Sequence, residues 1–126
     1  MYNERLLDHF QNPRNVGELA PPAVTVRVEN PACGDLLHLS ARWEAGRVAE
    51  ARYRIRGCTA SIAAGSALTE WLAGRTTTEL SALQAGTVAE WLGGLPNASQ
   101  HVGTLCVDGV KALLRAAPPV GTLGLD

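Results

Sequence analysis

The alternation that sets the architecture lies in residues 36–58, LLHLSARWEAGRVAEARYRIRGC. Apolar and polar residues alternate in two runs of this stretch, which is the period of a half-buried β-strand. The residues expected on the buried face are Leu37, Leu39, Ala41 and Trp43 in the first run and Ala49, Ala51, Tyr53 and Ile55 in the second. Glu44-Ala45-Gly46 makes a tight connection between the runs. The stretch therefore predicts an antiparallel hairpin with one apolar face and one solvated face.

The sequence before this hairpin predicts one more strand and one helix. Residues 24–29 alternate valine with polar residues, which is typical of a strand. Residues 2–10 carry apolar side chains at helical spacing, and Asn12-Pro13 ends that helix because the residue before a proline avoids the α region. We therefore expect a helix followed by a three-stranded meander.

The sequence after the hairpin predicts helices over residues 59–72 and about 99–116, separated by two short helices. Each short helix is expected to begin at a capping box, in which a threonine and a glutamate three residues later satisfy each other's orphan backbone donors. The two pairs are Thr76 with Glu79 and Thr87 with Glu90. One helix, three strands and a run of helices predict an α+β fold, with helices packed on one face of a three-stranded antiparallel sheet.

The composition limits the classes of function. A chain of 126 residues with a net charge of -1 is expected to form a single domain over residues 1–126, with a flexible tail at about 118–126. The balanced charge argues against nucleic-acid binding, and no apolar run reaches the roughly 18 to 20 residues of a membrane span. The N-terminus lacks the apolar region of a signal peptide, so a cytoplasmic location is expected.

Three cysteines in a reducing compartment indicate metal or sulfur chemistry rather than disulfides. Cys33 and Asp35 lie in a glycine-containing turn, Cys58 precedes a helix and His101 begins another. Thiolates with an imidazole and a carboxylate are ligands suited to zinc or iron. Their spacing leaves two interpretations open, a shared metal site or isolated core and surface residues, because the sequence has no Cys-x-x-Cys motif.

Three motifs follow one another between residues 9 and 71. The first is His9-Phe10-Gln11-Asn12-Pro13-Arg14-Asn15-Val16-Gly17, the second is Pro31-Ala32-Cys33-Gly34-Asp35, and the third is Gly57-Cys58 before a Ser/Ala-rich helix that ends with Thr69-Glu70-Trp71. In these motifs the chain resembles the iron-sulfur cluster assembly scaffold family typified by IscU and the N-terminal domain of NifU. The resemblance implies the α+β fold expected above and a protein that assembles a 2Fe-2S cluster and passes it to acceptor apo-proteins.

The resemblance also implies a set of site residues. Matched position by position, Cys33, Asp35, Cys58 and His101 fall on the cluster-site positions of the family, where they would bind iron, a labile 2Fe-2S cluster, or zinc in the cluster-free form. The acidic residue influences cluster release in the family, so Asp35 is expected to serve the site rather than only to hold its turn. The implied partners are a cysteine desulfurase that supplies sulfur and the acceptor apo-proteins.

The chain departs from the family pattern at two places. Family members carry a cysteine directly after the site histidine or lysine, where this chain has Val102, so one ligand and the sulfur acceptor of the IscU branch are missing. Cys106 lies four residues after Val102, which is about 6 Å further along the helix at about 1.5 Å per residue. It also lies in the apolar stripe of that helix. Both features favour a cysteine of the core over a displaced ligand. The segment 95–99 keeps only Leu95-Pro96 of the motif recognised by a dedicated DnaK-type chaperone, which argues against chaperone binding.

Three functions follow as alternatives. The first is a non-enzymatic scaffold for a labile cluster. The second is a zinc-dependent sulfurtransferase of the SufU kind, in which Cys58 or Cys33 accepts persulfide sulfur. The third is a diverged metal-binding module in which the ion only holds the loops together.

Two surface features complete the expectations. His38 is expected to be solvated on the polar face of its strand, and His9 is expected to cap or pack the first helix rather than bind metal. The third strand places Arg52, Arg54 and Arg56 in a basic row on the outer face of the sheet. Such a row is usually solvated surface, although it could meet an acidic partner.

Overall fold

The computed structural model describes residues 2–31 and 34–116. Its helices and strands are α1 (Glu4–Gln11), β1 (Val24–Glu29), β2 (Leu36–Glu44), β3 (Arg47–Arg56), α2 (Thr59–Leu72), α3 (Thr77–Ser81), α4 (Ala85–Trp91) and α5 (His101–Ala116), with a short 3-10 turn (Asn97–Ser99) before α5. Cys33 and the expected tail lie outside the described residues. None of the helices in the described part of the chain is long and apolar enough to cross a membrane.

The strands form an antiparallel sheet in the order β1-β2-β3, and the helices pack on one face of it. Leu39 pairs with Val26 on one side and with Tyr53 on the other. The ring of Tyr53 contacts α2 so closely that a Cβ on Gly65 would overlap it. These contacts confirm the predicted α+β architecture with its helices on one face.

The core lies between the sheet and the helices. Leu37 and Leu39 from β2, Leu68 from α2, and Leu105 and Leu113 from α5 are all buried. Burying one such side chain stabilises the fold by about 1.5–3 kcal/mol. The apolar faces predicted from the alternation of β2 and from the helical spacing therefore meet in one core.

The predicted faces of β3 are right over residues 51–53 and wrong at the start of the strand. Val48 is buried there, whereas Ala49 is exposed. The pairing of β2 with β3 shifts between Arg42 and Trp43, and Trp43 pairs with Val48, so Ala49 is the extra residue of a β-bulge. The bulge reverses the alternation on its two sides, which a regular period of two does not anticipate.

The helix starts agree with the prediction at one of the two capping boxes. Thr76 and Glu79 form the expected box at the start of α3, with the two reciprocal hydrogen bonds. The box expected from Thr87 and Glu90 is wrong, because α4 begins earlier, with Gln84 as its N-cap, and Thr87 lies inside the first turn.

Candidate metal centre

Three of the four predicted site residues come together at one end of the sheet. Asp35 directly precedes β2, Cys58 lies between β3 and α2 as the N-cap of that helix, and His101 begins α5. In an antiparallel hairpin the start of β2 and the end of β3 lie side by side, and Leu36 pairs with Arg56 here. The ends of three elements thus bring the side chains together. Cys33, two positions before Asp35, is not described.

The ligand atoms of the three residues are close to one another. Asp35 Oδ2 lies 3.5 Å from the Sγ of Cys58 and 3.3 Å from the Nε2 of His101. One ligand atom from each residue lies within 4.8 Å of the other two. This convergence is the strongest candidate site in the described part of the chain.

The carboxyl group is the deepest part of this cluster. The Asp35 side chain is 7% exposed, whereas the His101 side chain is 25% exposed, and Cys58 is also partly exposed. A buried carboxylate is unfavourable unless it is hydrogen-bonded or lies next to a positive charge. The thiol and the imidazole can donate hydrogen bonds to it, and a metal ion between the three groups would neutralise it.

The two separations measured from Asp35 are those expected around a single metal ion. At the usual zinc distances of about 2.0–2.2 Å to nitrogen or oxygen and about 2.3 Å to sulfur, two ligands of one tetrahedral ion lie about 3.4–3.6 Å apart. The observed separations from Asp35 are 3.3 and 3.5 Å. They also suit direct hydrogen bonds among the groups, so the same arrangement can exist with or without an ion. A thiolate, an imidazole and a carboxylate together suit zinc or iron.

Gly57 and Ser61 pack directly against the side chains of the cluster. A Cβ added at Gly57 would lie 2.6 Å from the Cγ and Oδ1 of Asp35 and 2.7 Å from the Oγ of Ser61. Ser61 is buried and donates a hydrogen bond of 2.8 Å to the backbone carbonyl of Cys58, with its Oγ 3.6 Å from the Sγ. Neither residue was predicted from the sequence to act at the site. The position of Ser61, three residues after the N-cap Cys58, was the sequence feature that could have indicated its contact with that cysteine.

Two residues near the start of α5 belong to the core. Val102, which stands where the family pattern has a cysteine, is fully buried. Cys106 is also fully buried, and this burial raises the pKa of its thiol to about 12. Cys106 is absent from the cluster of ligand atoms among the described residues. The thiol therefore packs as a small apolar group, as the helical spacing predicts.

The first sequence motif holds α1 against α2. His9 Nδ1 lies 2.7 Å from the Oγ of Ser66, which also accepts a 3.0 Å hydrogen bond from the backbone N–H of Arg14. Arg14 forms an ion pair of 2.7 Å with Asp8. Burial, and then the positive charge of Arg14, lower the pKa of His9. His9 thus packs against the helices, as expected, rather than joining the metal cluster.

The end of that motif covers part of the outer edge of β3. The backbone N–H of Tyr53 donates to the carbonyl of Asn15, and the carbonyl of Tyr53 accepts from Gly17, at 3.0 and 2.8 Å.

The prediction that His38 is simply solvated is wrong. Its Nε2 is buried and has no hydrogen-bond partner among the described residues, so the ring is not simply solvated.

The sequence matches the family model described as the NifU-like N terminal domain over residues 1–117. The iron-sulfur cluster assembly scaffold protein IscU of Azotobacter vinelandii is 38% identical over 118 residues, which cover 90% of this chain and 91% of that protein. Iron-sulfur cluster assembly scaffold protein IscU 1 of Archaeoglobus fulgidus is 38% identical over 111 residues, which cover 88% of this chain and 72% of that protein.

Solved structures share the fold at lower sequence identity. A NifU-like N-terminal protein from Brucella abortus superposes with a TM-score of 0.73 and 21% identity, covering 90% of this chain and 91% of that one. The SUF-system scaffold protein FiSufU from Fervidobacterium islandicum gives a TM-score of 0.75 and 16% identity, covering 90% and 96%. These structures show the shared fold, and the family model over residues 1–117 together with the 38% identity to the IscU proteins shows that the chain belongs to the NifU-like N-terminal domain family.

Proposed function

We propose that this protein is a scaffold on which iron-sulfur clusters are assembled before they pass to acceptor apo-proteins. The relatives from Azotobacter vinelandii and Archaeoglobus fulgidus are named as such scaffolds. The observation that carries the assignment of the site is the convergence of Asp35, Cys58 and His101, whose ligand atoms lie within 4.8 Å of one another. Cys33 is proposed as a further ligand from its position in the sequence.

The mixed ligand set suits a cluster that is held and then released. Cys58 and Cys33 would supply thiolates, which are strong ligands for iron in clusters. His101 would supply a nitrogen, and Asp35 a hard oxygen that matches soft, sulfide-bound iron poorly. Two of these groups are partly exposed, so an acceptor could reach the cargo. Four thiolates in a closed site would hold it more firmly.

Sulfur would come from a cysteine desulfurase as a persulfide. In that step a thiolate of this chain attacks the outer sulfur of the donor's persulfide, the donor's S–S bond breaks, and the donor cysteine leaves as a thiolate. Cys58 is the partly exposed thiol among the described cysteines, whereas Cys106 is buried and protonated. We therefore assign the role of sulfur acceptor to Cys58, with Cys33 as the second candidate.

A zinc-dependent sulfur-transfer protein is the second candidate function. Two observations favour it, namely the separations of 3.3 and 3.5 Å, which suit one tetrahedral ion, and the apolar Val102 at the position where the family pattern has a cysteine. Zinc would then hold the site between turnovers. The same Cys58 would carry the persulfide to a partner instead of building a cluster.

Anaerobic reconstitution tests the proposal. The full chain is incubated with ferrous iron, cysteine, a cysteine desulfurase and a dithiol reductant, which reduces persulfide sulfur to sulfide, and cluster formation is followed by visible absorption and by iron and sulfide analysis. We expect a cluster in the wild type and in Cys106→Ala, and none in Cys58→Ser. Zinc in the purified protein without any cluster, together with a persulfide on Cys58 found by mass spectrometry after incubation with the desulfurase and cysteine in the absence of the reductant, would establish the second candidate. Neither cluster nor persulfide would overturn both.

A further inference from the structure

The face of the sheet opposite the helices carries a compact set of cationic side chains. Two rows cross the three strands there, and strands in a row are about 4.8 Å apart. The first row is Arg27, His38 and Arg54, and the second is Glu29, Leu36 and Arg56. We call these six residues the outer patch. The patch lies at the end of the sheet that leads into Gly57 and Cys58.

The charge of the outer patch is not neutralised within the described residues. Arg42 and Arg52, further along the same face, form ion pairs of 3.2 and 2.7 Å with glutamates. Arg27, Arg54 and Arg56 have no such ion pair in the part of the chain described here. Glu29 is the one acidic member of the patch. Three guanidinium groups against one carboxylate leave a positive surface on a chain whose net charge is -1.

A shallow recess lies within the patch. It has a volume of about 260 Å³ and is lined by Leu36, His38, Arg54, Ile55 and Arg56. The Nε2 of His38 has no hydrogen-bond partner among the described residues, and a buried polar atom without a partner is costly. The recess is thus lined by two apolar side chains, Leu36 and Ile55, together with His38 and the two arginines Arg54 and Arg56.

The neighbouring edge of β3 is open at the same place. Tyr53 directs its backbone N–H and C=O outward, because both bond to the loop at Asn15 and Gly17. In a strand, the backbone N–H and C=O groups point to the same edge at every second residue. Ile55 therefore directs its own N–H and C=O to the same edge as Tyr53. No backbone bond to Ile55 from outside the sheet occurs among the described residues. Within the described part of the chain, the backbone N–H and C=O of Ile55 are therefore free beside the arginines.

We propose that the outer patch and the open edge at Ile55 dock an extended acidic segment of a partner protein. An added strand would bond to the edge, and its alternate side chains would lie about 6.8 Å apart, the same spacing that separates Arg54 from Arg56. Carboxylates on that face of the segment would pair with the guanidinium groups, which bind carboxylates through two parallel hydrogen bonds. Docking does not depend on the metal chemistry of Cys58.

The test measures binding of a fluorescein-labelled peptide with alternating glutamate and threonine to the full chain by fluorescence anisotropy. The matched peptide has lysine in place of glutamate, and a third peptide keeps the glutamates but carries N-methyl groups on alternate backbone nitrogens. We expect the acidic peptide to bind, the lysine peptide not to bind, and N-methylation to weaken binding because it blocks bonding to the edge. Added salt should weaken binding.

Two double variants with the same change of charge locate the site. Arg54→Glu with Arg56→Glu should weaken binding at least about tenfold. Lys111→Glu with Arg115→Glu, on the exposed side of α5, should change it less than about twofold. All four substituted residues are exposed. Thermal unfolding of each variant checks that it folds. Equal weakening by both variants, or no binding of the acidic peptide, would overturn the proposal.

Inorganic phosphate is the competitor that separates a small-anion site from a docking surface. At matched ionic strength, phosphate should displace the peptide poorly, because it cannot bond to the strand edge. Amide shifts from isotope-labelled protein should include Ile55 when the peptide binds. Full displacement by phosphate, with no shift at Ile55, would mean that the patch binds a small anion and that the docking proposal is wrong.

Discussion

The carboxyl group of Asp35 occupies the space that a side chain on residue 57 would need, because a Cβ on Gly57 would lie 2.6 Å from the Cγ of Asp35. The backbone of Gly57 does not adopt a positive φ, so its conformation does not require glycine. The need for glycine is steric. Gly57 therefore sets the position of a proposed ligand that lies 22 residues earlier in the chain.

Gly57→Ala should displace the carboxyl of Asp35 and weaken zinc binding by about 10- to 100-fold, the usual effect of disturbing the support of a metal ligand. The measurement is a competition titration with a chromophoric zinc chelator. Gly86→Ala is the matched control, since a Cβ there meets nothing within 4 Å and lies in α4. The control should bind zinc normally and gain up to about 1 kcal/mol in stability. Equal zinc affinities for the two variants would contradict the steric role of Gly57.

Alkylation should separate the two described cysteines. Cys58 is partly exposed, whereas Cys106 is buried with a pKa raised to about 12, so the Cys106 thiol stays protonated at pH 8 and does not react as a thiolate. Iodoacetamide should modify Cys58 in the native, metal-free protein and should reach Cys106 only after denaturation. Peptide mass spectrometry identifies the modified residue. Rapid modification of Cys106 in the native protein would show that α5 does not bury it.

Cys106 should also make stability fall in alkaline solution. The unfolded thiol ionises near a pKa of about 8.5, whereas burial raises the pKa of the folded thiol to about 12. Between these values the folded state binds more protons than the unfolded state, so the free energy of unfolding decreases as pH rises. Urea unfolding above pH 9 should show a steeper loss in the wild type than in Cys106→Ala. Parallel losses would assign the effect to other groups.

His9 should make stability fall in mildly acidic solution. Burial and then the charge of Arg14 lower its pKa below the unfolded value of about 6.5, while Asp8 and Glu70 act in the opposite direction. As pH falls, His9 is protonated in the unfolded state before it is protonated in the folded state. The contribution of neutral His9 to stability is therefore present above about pH 6.5 and is lost as pH falls below that value.

The variant His9→Gln separates this effect from the titration of the other histidines. Glutamine keeps polar atoms near Ser66 but does not titrate, so the free energy of unfolding should depend less on pH between about 6.5 and 5 than in the wild type. Urea unfolding at a series of pH values measures the slope. A slope as steep as that of the wild type would rule out His9 as the source.

Removal of metal should leave the fold largely intact. The buried core is built from apolar side chains of the sheet and helices, and the candidate site lies at the end of the sheet rather than inside that core. Chelation by EDTA should therefore remove bound zinc with little change in far-ultraviolet circular dichroism. A cooperative loss of helix on chelation would instead support a structural metal-binding module, because such domains fold only with their ion.

The sequence by itself indicated the elements and the faces that they bury, since both follow from periods of 2 and 3.6 residues. Alternation predicted the meander, and helical spacing placed Cys106 in the apolar stripe of α5. The motifs around Asn12-Pro13 and Gly57-Cys58 indicated the family. These properties are local or depend on residue identity, so no knowledge of distant contacts was needed.

Tertiary structure decided what periodicity does not contain. The bulge at Ala49 exists because β3 has one residue more than β2 needs to pair with it, and that mismatch depends on the register of two strands. Asp35 lies 23 positions from Cys58 and 66 from His101, yet the three side chains meet. Their separation depends on how β2, α2 and α5 pack. Only that packing shows why residue 57 must lack a side chain.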